Sequence, residues 1–170
     1  MINIEYNRYA ALMYARRWAL SRNPEFYDYS NIGGDCTNFA SQVVYAGTGV
    51  MNYTPDTGWY YINANDKSPS WTGVNFFYNF MVNNDGLGPY AEERDLRGLL
   101  PGDIIQLGDA NGNFYHTLVL TDIIRFPNGR QYYVAAHSMD SYQRNLRSYD
   151  FETYRGIHIL GARIEDSFNE

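Results

Sequence analysis

Cysteine is almost missing from this chain: Cys36 stands alone among 170 residues. A single thiol excludes an intramolecular disulfide framework and any zinc site built from several cysteines. Histidine is nearly as scarce, limited to His116, His137 and His158. None of these spacings makes a helical ligand pair such as H-E-x-x-H, so neither a metal nor any other cofactor is expected. Cations are outnumbered, 13 Lys and Arg against 19 Asp and Glu, for a formal charge of −6. Without a basic stripe to gather phosphates, nucleic acid is not an expected partner. No apolar run approaches the roughly 20 residues of a membrane span. The start, Met1-Ile2-Asn3-Ile4-Glu5-Tyr6, does not read as a signal peptide. A trimmed signal would put the protein in the cell envelope or outside, so the compartment is not legible; nor is the oligomeric state.

Aromatic residues, by contrast, are plentiful at 17%, with Tyr alone contributing 17 residues. With 45% hydrophobic and 19% charged residues the composition is that of an ordinary globular chain. Its length suits one domain, spanning residues 1–170.

Periodicity predicts a helix over about 4–22, stopped by Asn23-Pro24. A loop follows, ending in Gly33-Gly34. A second helix is predicted from Asp35 or Cys36, with Asp35 as N-cap and Gly47 as its stop. Residues 48–70 read as irregular and aromatic, and 71–83 as a third helix. After Pro89 the pattern changes to strands: Ile104–Leu107, Phe114–Ile124, Tyr132–His137 and Ile157–Ile164. Hairpin turns are expected at 109–113 and 127–129, and residues 138–155 read mostly as loop. Helices first and an antiparallel meander second make the fold class α+β.

Cys36 opens an apolar-periodic helix after two glycines. A thiol in the first helical turn feels the positive end of the helix dipole, which favours thiolate, the nucleophilic form. The competing reading is a small buried hydrophobe. His116 lies near the start of a strand, where a base serving a helix-start thiol is often carried. His137 ends the next strand. Antiparallel pairing through the 127–129 turn brings the two histidines to one end of the sheet, where His137 could orient the His116 imidazole. Asp140 competes for that role. Asp122 does not, since it stands about 20 Å along the strand from His116. His158 has no evident partner and reads as structural. Asp35 is a helix cap or a binding group for a substrate amine. Asn31, with Tyr29 and Ser30, offers polar groups near the thiol. Trp59, Tyr60, Tyr61 and Trp71 either line a substrate groove or pack over the sheet. Asp103 reads as a turn-stabilising carboxylate.

The string Gly33-Gly34-Asp35-Cys36-Thr37-Asn38-Phe39-Ala40-Ser41-Gln42 resembles the signature of the "Putative amidase domain" family. That family looks like a branch of the papain-like group that includes CHAP and NlpC-type cell-wall peptidases. Leu100–Gln106, His116-Thr117-Leu118-Val119 and Ala136-His137-Ser138-Met139-Asp140 resemble its later segments, so the likeness runs from about 4 to 164. The resemblance implies a papain-like α+β core with the Cys helix packed on an antiparallel sheet. It implies Cys36 as nucleophile, His116 as general base and then acid, and His137 as the orienting residue. The implied partner is a peptide or other amide, with peptidoglycan stem peptides the class its relatives suggest. Two other readings use the same residues: a non-catalytic binding module with a Tyr/Trp-lined groove, and an acyl transferase in which an amine or thiol replaces water.

Overall fold

The computed structural model describes residues 1–167. Its elements are β1 (Ile2–Ile4), α1 (Arg8–Trp18), α2 (Cys36–Thr48), β2 (Tyr61–Asn63), β3 (Asp66–Lys67), α3 (Pro69–Thr72), α4 (Val74–Asn83), β4 (Gly88–Arg94), β5 (Ile104–Gly108), β6 (Phe114–Phe126), β7 (Gly129–Ala136), β8 (Ser141–Asn145) and β9 (Thr153–Ile164). The fold is α+β, with the helices early and an antiparallel sheet late, as the order of patterns suggests.

Among the described residues the main sheet has seven strands. β9 is its spine. It pairs β4 along Gly88↔Arg163 to Arg94↔Gly156, and on its other edge it pairs β5 and then β1. From β5 the sheet continues as a meander through β6, β7 and β8. Strand alternation sends successive side chains to opposite faces, and both faces are covered. On one, Phe39, Ala40, Val43 and Val44 of α2 pack with Ile104, Val119, Ala135 and Ile157 of the sheet, joined by Trp59, Trp71 and Phe77. On the other, Ile105, Leu107, Leu118, Leu120 and Val134 pack with Leu99 and Leu146. Each such fully buried side chain contributes about 1.5–3 kcal/mol of hydrophobic stabilisation.

Several elements differ from the sequence reading. The first helix starts at Arg8, because the Asn7 side chain caps it by accepting the Ala10 amide at 3.0 Å. The residues before it pair with β9 instead, too short a stretch for periodicity to reveal. The third helix is two, broken at Gly73, whose backbone is extended. The supposed loop 138–155 contains β8. Gly47 is not the helix stop. That role falls to Gly49, in the left-handed region at φ 67°. Gly47 is where α2 lies closest to Tyr6.

The Tyr6 hydroxyl donates to the Gly102 carbonyl at 2.8 Å. Beside it, Arg8 bonds the buried Asp103 carboxylate at 2.8 Å, and Asp103 also holds His158 Nδ1 at 2.7 Å and the Leu100 and Ile159 amides. His158 and Asp103 are thus structural, tying α1 to β5 and β9.

A Cβ on Gly47 would stand 2.3 Å from the Tyr6 ring and 2.9 Å from the Asn7 carbonyl. Gly47→Ala gains about 1 kcal/mol of helix propensity but meets an overpacking cost of about 1–3 kcal/mol. The expected result is a lower melting temperature, measured by circular dichroism; a raised one would show that Tyr6 moves freely.

Candidate active site

The Gly33-Gly34 pair takes φ values of 81° and 99°, a left-handed turn that a side chain would strain. It delivers the chain to Asp35 and Cys36 at the start of α2. Asp35 occupies the N-cap position without capping by its side chain. Its Oδ1 accepts the Tyr29 amide and Asn38 Nδ2, each at 2.8 Å. Its Oδ2 lies 2.5 Å from His137 Nδ1. The other His137 nitrogen, Nε2, donates to the Trp18 carbonyl at 2.8 Å, and the ring stacks on Phe39 with centroids 4.1 Å apart. A carbonyl only accepts, so Nε2 carries a hydrogen, and the contact to Oδ2 needs a second one between ring and carboxylate. This buried pair pins the loop before Cys36 to the end of α1. The Asp35 amide in turn donates to Ser138 Oγ at 3.0 Å. Ser138 and Met139 turn the chain at φ 63° and 68°.

The Cys36 thiol is nearly buried. Burial pushes its pKa above the ordinary thiol value, against hydrogen bonds from the backbone and side chains of Thr117 and Thr37 that favour the thiolate. Desolvation therefore outweighs the helix-start effect expected from the sequence, and the resting group is a thiol. Thr37 Oγ1 meets Thr117 Oγ1 at 2.8 Å, and Gln106 Nε2 donates to the same Thr117 oxygen at 3.2 Å. The sulfur thus sits against β6 at Thr117, one peptide link from His116.

Thr117 faces α2, so its neighbour His116 faces away from it. The His116 ring lies 5.8 Å from that of Tyr149, which packs on the second core. Burial first, and the nearby Arg144 charge second, lower the His116 pKa to about 4, so the imidazole is neutral at pH 7. His116 lines a small pocket of about 270 Å³ together with Ser138, Arg144, Tyr149 and Asp150. Among the described residues no hydrogen bond joins its ring to Cys36 or to any other group.

The expected meeting of His116 and His137 therefore does not occur. His137 spends both ring nitrogens on Asp35 and the Trp18 carbonyl and stacks on Phe39, whereas the His116 ring lies by Tyr149, so no hydrogen bond joins the two. Asp140 does not reach His116 either; it forms a two-toothed ion pair with Arg22 at 2.8 and 3.0 Å. Asp35 is fully buried and all its contacts are internal, which leaves no oxygen for a substrate amine. Trp59 and Trp71 are fully buried too, donating to Ser41 Oγ and Asn38 Oδ1, and Tyr60 is nearly so. They are core residues, and the expected Tyr/Trp groove is absent from the place they occupy. Asn31 lies exposed in the 29–34 turn, outside the His116 pocket. Two larger clefts, of about 690 and 500 Å³, lie against α1 and α4 and contain neither Cys36 nor a histidine. Arg144, Tyr149 and Ser138 escaped notice because they fall in a polar stretch with no periodicity.

The family model described as "Putative amidase domain" matches residues 5–160. The uncharacterized protein YhbB of Bacillus subtilis strain 168 is 29% identical over 153 residues, which are 88% of this chain and 47% of YhbB. The chain thus spans about half the length of that relative. No solved structure matches.

Breaking a buried pair costs about 3–5 kcal/mol when the remaining group is left alone; here Asp35 keeps Arg22 Nε at 3.6 Å, which puts the expected cost at the low end. His137→Ala is expected to lower unfolding free energy by about 3 kcal/mol, read from urea denaturation. A loss below about 1 kcal/mol would show that Asp35 holds the loop without it.

Proposed function

The chain belongs to the "Putative amidase domain" family, and on that premise we propose that it hydrolyses an amide bond with Cys36 as nucleophile and His116 as general base, then acid. The observation that supports this reading is that the sulfur lies on the Thr117 amide near the start of β6, while the pocket of the uncommitted His116 imidazole also takes in Ser138, whose Oγ accepts the amide just before Cys36.

The reaction follows from these groups. His116 takes the thiol proton as Cys36 Sγ attacks the amide carbonyl, giving a tetrahedral intermediate. The Cys36 N–H, in the first turn of α2 and outside its hydrogen-bond ladder, is placed to receive the oxyanion. His116 returns the proton to the leaving amine, which departs as the C–N bond breaks and a thioester remains. Water, giving a proton to His116, then cleaves the thioester to a carboxylic acid and restores the thiol. His137 acts here by holding Asp35, and through it the start of α2, rather than by orienting His116. Peptidoglycan stem peptides, cut by the CHAP and NlpC-type enzymes that this family resembles, are the proposed substrate class.

The test is release of amino groups from purified peptidoglycan. Cys36→Ala is expected to abolish it. His116→Ala should lower it by about 10²–10⁴-fold, the usual range for general acid–base catalysis. Amine release that survives Cys36→Ala would end the cysteine mechanism, and no release by the wild type would end the substrate class.

The rate should also depend on pH in a particular way. His116 works as a base only when neutral, so kcat/KM should rise through about pH 4 and level off above it. The resting thiol should react slowly with iodoacetamide at pH 7, with labelling climbing only above the ordinary thiol range near pH 8.5. Rapid labelling at pH 6 would instead indicate a preformed thiolate.

A further inference from the structure

Two hydrogen-bond donors at the His116 pocket have no internal use. Arg144 spends Nε on Ser148 Oγ at 2.8 Å and Nη2 on the Ser148 carbonyl at 3.1 Å. Its guanidinium lies 3.7 Å over the Tyr149 ring. These contacts fix the fork, yet Nη1 bonds to no protein atom among the described residues, and no carboxylate pairs with the charge. Asp150 lines the same pocket but lies beyond ion-pair distance. The second donor is Tyr149, whose hydroxyl is buried without a partner. A buried orphan hydroxyl costs about 1–3 kcal/mol, and orphans in a folded protein call for an explanation. Two residues lining the pocket, Ser138 and Met139, hold left-handed backbone without being glycine, the kind of strain that gathers at working sites.

We propose that the substrate amide carries a free carboxylate close to the bond that is cut, and that Arg144 and Tyr149 bind it. A guanidinium and a phenol are both donors only toward an anion, and a carboxylate offers two oxygens to receive them. The pocket volume admits a group the size of one amino acid. This assignment rests on the reading of His116 as the base. It also gives the substrate a part in its own activation. The Arg144 charge is one cause of the lowered His116 pKa, and a bound carboxylate neutralises it, making the imidazole a stronger base when an acceptable substrate is present.

The test uses Cys36→Ala protein, which cannot turn over, and two probes that differ only in the group in question: N-acetylglycine and N-acetylglycinamide. Binding is followed by NMR of the His116 ring protons. The acid is expected to bind about tenfold more tightly than the amide, one charge-assisted contact's worth, and to raise the His116 titration midpoint. Arg144→Gln should erase the preference, and Arg144→Lys should keep part of it. Tyr149→Phe separates recognition from structure. Loss of an orphan buried hydroxyl does not lower the melting temperature, and the proposal expects in addition weaker binding of the acid; unchanged binding of the acid would remove Tyr149 from the assignment. Equal binding of the two probes, no shift with either, or a preference that survives Arg144→Gln would overturn the assignment. Peptidoglycan hydrolysis by the wild type reports separately on the cysteine mechanism, so failure of one does not imply failure of the other.

Discussion

The pairing of Asp35 with His137 is the contact on which the candidate site depends. It joins three pieces of chain that are far apart in sequence: the end of α1 through the Trp18 carbonyl, the loop before α2 through Asp35, and the end of β7 through His137 itself. All of it is buried. Burying such groups is favourable only when each lone pair and hydrogen finds a partner. Here Asp35 receives Tyr29 and Asn38 on one oxygen and His137 on the other. An apolar pair of similar volume could fill the space, but it would not fix the direction in which α2 begins. The direction matters because the thiol is in the first turn, and a rotation of that turn would take Sγ off the Thr117 amide.

Electrostatics then decides the state of the reacting groups. A helix start favours a thiolate, but the effect is about 0.3–1 kcal/mol at an exposed site, while burial acts on the whole charge. Burial wins at Cys36, and at His116 it acts in the opposite chemical sense, disfavouring the imidazolium. The outcome is two neutral partners. Proton transfer from a thiol held above its ordinary value to an imidazole near 4 is uphill, and less so whenever something raises the basicity of His116.

Much of the architecture was legible in the residues. The helix at Cys36, the strands around His116 and His137, both hairpin turns and the α+β order could all be read from periodicity and turn chemistry. Asp103 was legible as a structural carboxylate because it follows a Pro-Gly turn. What escaped was the side to which each strand residue points. A sheet covered on one face advertises its register through alternating polar and apolar residues. This sheet is covered on both, so Leu118 and Val119 are equally apolar and carry no such mark. His116 and His137 could therefore be assigned to one end of the sheet but not to their separate ring partners. The aromatic stretch misled for a related reason. Trp59 and Trp71 donate their indole hydrogens to Ser41 and Asn38 of α2, and a Trp with a buried polar partner looks in sequence no different from one lining a groove.

The sheet itself supplies the link between the two faces. Cys36 packs from the α2 side onto the backbone of Thr117, and His116 leaves that backbone toward Tyr149 and Arg144. The His116 pocket also takes in Ser138, whose Oγ accepts the amide just before Cys36, so the base and the uncommitted cation lie at the end of the sheet where α2 begins. Arg144 has no carboxylate partner among the described residues, and its position beside the base makes its field felt by that base. Any anion that settles there removes a repulsion from the imidazolium. Under the proposed mechanism, recognition is thereby coupled to proton transfer at the His116 ring.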